Sequence, residues 1–137
     1  MGRLSTHIFL FLFISIVSLV SVSEGWLDRY RHIYIKNGLD KGTPLMIHCK
    51  SRDDDLGVHV LKYDEEWKFQ FQINFHQSTL FFCGFTWDGT LHWFDIYDWS
   101  RDKSVCTPDC KWSITRENPC LYDYDTHQYE LCYYGYH

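Results

Sequence analysis

Between two runs of alternating apolar residues stands the dipeptide Asp88-Gly89, and it restricts the fold more than any other feature of the chain. Asp-Gly suits a two-residue type I′ turn, where both positions need positive φ and the twist matches that of paired strands. The flanking runs, Leu80 to Trp87 and Thr90 to Asp98, are therefore predicted to form a hairpin. With two residues in the turn Trp87 faces Thr90, and the register follows by steps of one. Phe85 then lies opposite His92, Cys83 opposite Phe94 and Phe81 opposite Ile96 on one face. Thr86 faces Leu91, Gly84 faces Trp93 and Phe82 faces Asp95 on the other. The first face is almost wholly apolar and is predicted to be the core side. Upstream, Trp67, Phe69, Phe71 and Ile73 alternate with Lys68, Gln70 and Gln72, the period of a half-buried strand.

The remaining strands are predicted by the same alternation. Arg31 to Lys36 ends at Asn37-Gly38, and Leu45 to Lys50 places Leu45, Ile47 and Cys49 on one face. A polar loop, Ser51-Arg52-Asp53-Asp54-Asp55, leads to a strand that Gly57 restarts at Val58 and that runs to Tyr63. Trp99 to Asp109 is charged and contains Pro108, and is predicted as a long loop held by Cys106 and Cys110. Further strands are predicted at Lys111 to Thr115, near Leu121 and at Tyr129 to Tyr134. Strands every 8–12 residues with turns between them, and no helical period, imply an all-β fold: an antiparallel β-sandwich of about eight strands.

The chain opens with MGRLSTHIFLFLFISIVSLVSVSEGW, one Arg ahead of an apolar run from Ile8 to Val22 and then small residues. That is the layout of a secretory signal peptide over residues 1–23, leaving a single domain over 24–137. The run is too short to span a membrane, which takes about 20 residues. Loss of residues 1–23 removes Arg3 and leaves 12 Lys and Arg against 18 Asp and Glu. An acidic product is unsuited to nucleic acid, since duplex binding needs a basic face. A secreted, extracellular location follows, with no membrane span after cleavage.

All six cysteines, Cys49, Cys83, Cys106, Cys110, Cys120 and Cys132, lie in the exported part. An even count in an oxidising compartment reads as a disulfide framework stabilising the fold, and six cysteines allow fifteen complete pairings. No Cys-x-x-Cys pair points to zinc. The Asp53-Asp54-Asp55 run does not fit a calcium loop, because consecutive residues on an extended chain point apart, and it reads as a solvated turn. His48 and His59 are predicted as neighbours across the hairpin around that turn, without a third ligand at a recognisable spacing. No nucleophile elbow, zinc-protease helix or phosphate loop occurs, so neither a catalytic residue nor a cofactor is predicted. Six of the ten tyrosines fall between Tyr122 and Tyr136, a set that could stack on sugars or pack a small β domain.

Taken in order, the segments resemble one family. They are IYIKNGL at Ile33–Leu39, LMIHCKSRDDDLG at Leu45–Gly57, EWKFQF at Glu66–Phe71 and TLFFCGFTW at Thr79–Trp87. WFDIY at Trp93–Tyr97, Arg101-Asp102, CKWSI at Cys110–Ile114, NPC at Asn118–Cys120 and LCYY at Leu131–Tyr134 follow. Together they resemble the plant self-incompatibility S-protein homologues. The resemblance implies a small secreted plant protein with a disulfide-stapled all-β sandwich and no catalytic residues. It implies an extracellular signalling ligand that acts by protein–protein recognition, its partner an unidentified cell-surface protein or receptor. Sandwich strands leave loops and edges to be read. The candidate partner-binding residues are Ser51, Arg52, Asp53, Asp54 and Asp55, the loop from Trp99 to Asp109 with Arg101 and Asp102, and the loop from Asn37 to Thr43. The alternatives are a secreted carbohydrate-binding module using the C-terminal tyrosines, and a secreted ribonuclease, which Met46-Ile47-His48 resembles only by its Ile-His pair.

Overall fold

The computed structural model describes residues 29–137, so the leader predicted over 1–23 lies outside the described residues. Strands β1 (Tyr30–Asn37), β2 (Leu45–Lys50), β3 (Asp55–Leu61), β4 (Glu66–Gln72), β5 (Leu80–Trp87) and β6 (Thr90–Asp98) come first. A short helix α1 (Trp99–Asp102) separates them from β7 (Asp109–Ile114), β8 (Pro119–Asp123) and β9 (Gln128–Cys132). They form an all-β sandwich: a five-stranded sheet of order β4-β1-β7-β8-β9 and a four-stranded sheet of order β3-β2-β5-β6.

The hairpin β5–β6 keeps its predicted register from Trp87↔Thr90 to Phe82↔Asp95. It then departs by one residue. A bulge sets Phe81 opposite Tyr97, where Ile96 was predicted, so consecutive residues Ile96 and Tyr97 both turn into the core and are fully buried. A second bulge moves β3. It begins at Asp55 rather than Val58, where Leu56 and Gly57 together face Cys49 alone, and it ends at Leu61 rather than Tyr63, opposite Leu45 where β2 begins. Gly57 takes φ +76°, a conformation that costs least without a Cβ.

Two other differences concern long-range order. The described residues hold nine strands, and β1 pairs with β7 in parallel, from His32↔Asp109 to Asn37↔Ile114. A parallel neighbour needs a long crossover, and here the intervening chain supplies one by building the four-stranded sheet. The segment predicted as a long loop after Asp98 contains α1, whose first turn is capped by Asp98 Oδ1 accepting from Ser100 N–H at 3.0 Å.

The core lies between the sheets and is filled from alternate positions: Ile33 and Ile35, Leu45 and Ile47, Phe81, Cys83 and Phe85, Phe94 and Ile96, Trp112 and Ile114. Trp67, Phe69 and Phe71 of β4 cover its margin, with Phe71 4.5 Å from the Phe81 ring and 4.9 Å from Tyr97. Three disulfides select one pairing of the fifteen: Cys49–Cys83, Cys106–Cys110 and Cys120–Cys132. Cys49 and Cys83 face each other across β2 and β5, as Cys120 and Cys132 do across β8 and β9.

Strand direction sends the β1–β2, β3–β4, β5–β6 and β7–β8 connections to one end of the sandwich. Asn37 is buried there, with its amide donating to Thr43 O (2.9 Å) and Leu61 O (3.0 Å) and its Oδ1 accepting from Leu39 N–H. Arg116 bridges Asp40 (2.6 Å) and Asp88 (2.7 Å), tying three turns together. Next to Asn37 the backbone of Gly38 runs so close to β7 that a Cβ would stand 2.2 Å from Ser113 Oγ. Gly38→Ala should therefore lower stability by about 1–3 kcal/mol in urea denaturation, as overpacking does. Adding Ser113→Ala should recover most of that loss, because the colliding atom is gone.

Candidate functional site

The opposite end of the sandwich gathers the β2–β3, β4–β5, β6–β7 and β8–β9 connections. Two of the predicted binding segments, Ser51–Asp55 and Trp99–Asp109, thus share one end, while Asn37–Thr43 lies at the other. In the β2–β3 loop, Ser51 N–H donates to Asp54 O (2.8 Å) and Asp54 N–H to Ser51 Oγ (3.1 Å). This compact turn leaves Arg52, Asp53 and Asp54 exposed at its tip. Asp55 anchors the far side: its Oδ1 accepts from Gly57 N–H at 2.9 Å and from His48 Nε2 at 2.7 Å. Those donors, Gly57 first and His48 second, hold the Asp55 carboxyl below its ordinary pKa. The buried Cys49–Cys83 bridge sits two residues before Ser51. The tip is consequently a presented feature on a fixed base.

His48 and His59 are not neighbours, contrary to the sequence expectation. The register sets His48 opposite Val58 and His59 opposite Ile47, so their side chains leave opposite faces of the sheet. His59 stacks on Trp67 at 4.0 Å and donates to Leu56 O. Among the described residues, no group of three or more His, Cys, Asp or Glu side chains is arranged to hold a metal.

Arg101 and Asp102 also differ from expectation. Predicted to face a partner, they turn inward. Asp102 is fully buried and takes a two-pronged contact from Arg101, Nε to Oδ1 and Nη2 to Oδ2, both 2.7 Å. Asp98 N–H donates to the same carboxylate at 2.9 Å, and Arg101 donates to Asp95 O at 2.8 Å. The guanidinium lies about 5 Å from the rings of Phe94, Trp112 and Tyr133. This pair closes the core beneath α1. Adjacent residues of opposite charge look like surface in a sequence, and only the three rings around them reveal otherwise.

The C-terminal tyrosines divide between inside and outside. Tyr136 packs 5.3 Å from Trp87 and donates its hydroxyl to Thr115 O at 2.7 Å; burial pushes that hydroxyl well above its ordinary pKa. Tyr122 meets Tyr124 and Tyr129 edge to face at 5.2 and 5.1 Å on the outer side of the five-stranded sheet. Lys36 sits 4.5 Å over Tyr129, and Lys111 lies between Tyr34 and Tyr122. These rings therefore pack against each other and lie under lysine ammonium groups.

Sequence reasoning missed a further surface. The outer face of the four-stranded sheet carries Met46, Val58, Val60, Leu91 and Trp93, between 37% and 60% exposed. One face of an antiparallel sheet is ordinarily polar when it meets water. Met46, outward in the predicted alternation of β2, and Leu91 and Trp93, on the non-core face of the predicted hairpin, were the available signals.

Asp102→Asn should destabilise the protein by about 3–5 kcal/mol in urea denaturation, because Arg101 is left partly buried without its counter-charge. The double substitution Arg101→Met, Asp102→Leu should recover most of that loss.

Residues 32–134 match the family described as plant self-incompatibility protein S1. Among curated proteins of Arabidopsis thaliana, S-protein homolog 5 is 53% identical over 79 residues, covering 58% of this chain and 61% of that protein. S-protein homolog 2 is 43% identical over 107 residues, covering 75% and 66% respectively. The chain thus spans three-fifths to two-thirds of the length of these two relatives. S-protein homolog 29 is 32% identical over 130 residues, 94% of this chain and 96% of that relative. A solved structure of a self-incompatibility protein homologue, from a family described as small, highly stable, secreted plant proteins, aligns with a TM-score of 0.54. It is 20% identical and covers 68% of this chain and 84% of its own, which establishes likeness of fold. The chain belongs to the plant self-incompatibility S1 protein family.

Proposed function

We propose that this protein is a secreted extracellular ligand, without enzymatic activity, that is recognised by a cell-surface protein through its exposed loops. The observation that carries the reading is the Arg52-Asp53-Asp54 tip: three consecutive exposed charged side chains on a turn whose base is held by Asp55, His48 and the Cys49–Cys83 bridge. A rigid base limits the ordering entropy that binding would otherwise cost, and charges at a rim set specificity and encounter rate. Family membership and the predicted leader support the extracellular setting. Arg101 and Asp102 stabilise the frame in this reading and do not touch the partner.

The test is capture of plant membrane proteins on the immobilised secreted protein. Wild type should retain a saturable partner, and Asp53→Lys with Asp54→Lys should weaken retention at least tenfold while leaving the thermal midpoint unchanged. Equal retention by wild type and the double variant would remove the loop from the account. Repeated capture of nothing by wild type would remove the ligand reading itself.

A further inference from the structure

The outer face of the four-stranded sheet has a directional pattern along its edge strand β3. Val58 and Val60, 56% and 60% exposed, project from the same side at a spacing of two residues, and Lys62 follows at the same period just beyond the strand. Val60 lies beside Met46 in the register. Two adjoining hollows share Pro44. One, of about 190 Å3, is lined by Met46, Val60, Thr86 and also Asp88, whose charge Arg116 matches. The other, of about 330 Å3, is lined by Lys41, Thr43, Lys62 and Tyr63. Among the described residues, neither the Lys41 nor the Lys62 ammonium has a carboxylate within ion-pair distance. Nearby Arg116, by contrast, is matched by Asp40 and Asp88.

From this arrangement we infer that the β3 side of the sheet binds an extended acidic–apolar segment of a protein partner. Two apolar side chains would seat against Val58, Val60 and Met46, and a carboxylate would reach Lys41 and Lys62. An extended chain advances about 6.6 Å every two residues, the spacing at which β3 itself presents Val58, Val60 and Lys62. The apolar residues supply contact area, and the two unmatched cations select an acid over a base and fix direction. The inference rests on the ligand reading above and specifies the chemistry of the partner on a surface apart from the Arg52–Asp54 tip.

The probes are two fluorescein-labelled peptides, Leu-Thr-Leu-Thr-Glu-Thr-Glu and its reversal, with counterparts carrying Lys in place of Glu. Anisotropy titrations with the full secreted protein should show saturable binding of one acidic peptide and at least tenfold weaker binding of both lysine peptides. Lys41→Glu with Lys62→Glu, and separately Val60→Ser, should each weaken the acidic peptide at least tenfold, with circular dichroism and melting unchanged. Absence of binding by either acidic peptide, or equal binding by wild type and the Lys41→Glu, Lys62→Glu variant, would overturn the inference. So would binding to vesicles of phosphatidylcholine and phosphatidylserine without binding to peptide, which would identify a lipid surface as the occupant. In the membrane-protein capture, a partner held equally by wild type and the Lys41→Glu, Lys62→Glu variant would overturn this surface and leave the ligand reading standing. Loss of that partner from the variant would support it.

Discussion

Cys49 and Cys83 occupy facing positions on the two central strands of the smaller sheet, and their bond lies wholly inside the core. Everything on that sheet is built outward from this pair. β3 attaches to β2 and bulges where Leu56 and Gly57 pass Cys49; β6 attaches to β5 through the Asp88-Gly89 turn. Closing a loop between residues 34 apart restricts the unfolded chain, so the bond favours the sheet before any packing is counted. In a domain of this size such a contribution is comparable to the whole stability margin.

The other sheet is organised differently. Its centre is the parallel pair β1–β7, joined by strands that are far apart in sequence. The His32–Asp109 contact at 3.0 Å marks one end of this pair, and the Asn37 hub with Gly38 N–H donating to Ile114 O marks the other. Between the sheets, the Arg101–Asp102 pair and Tyr136 close opposite ends of the core. These closures join polar groups to partners inside the protein, which makes them costly to disturb. The exposed features, the Arg52–Asp54 tip and the Val58–Val60 edge, rest on this frame without carrying it.

Alternation made much of this legible. A period of two says which side chains share a face, so the hairpin, its register to Phe82, and the burial of Leu45, Ile47 and Cys49 could be read directly. What alternation does not say is which strand lies beside which. The return of β4 and β7 to the first sheet depends on contacts across the sandwich, and the pairing of Cys49 with Cys83 and of Cys120 with Cys132 on which strands become neighbours. Bulges escaped for a related reason: one extra residue at Ile96–Tyr97 or Leu56–Gly57 becomes favourable only when the opposite strand is known. Arg101 and Asp102 were read as surface because charge is normally solvated. Three aromatic rings from distant segments, Phe94, Trp112 and Tyr133, bring them inward. The apolar outer face was readable at Met46, Leu91 and Trp93, whereas Val58 and Val60 became outward residues only once β3 had its register.

Cys49 facing Cys83 sets the frame, and a tryptic map of the secreted, non-reduced protein reads that pairing. Cleavage after Lys and Arg places Cys106 with Cys110 in peptide 104–111, and Cys120 with Cys132 in peptide 117–137. Each of those two peptides should be two hydrogens lighter than its reduced form, with a single link between peptides, joining 42–50 to 69–101. A link from 42–50 to 104–111 or 117–137, or a free thiol in 69–101, would contradict it.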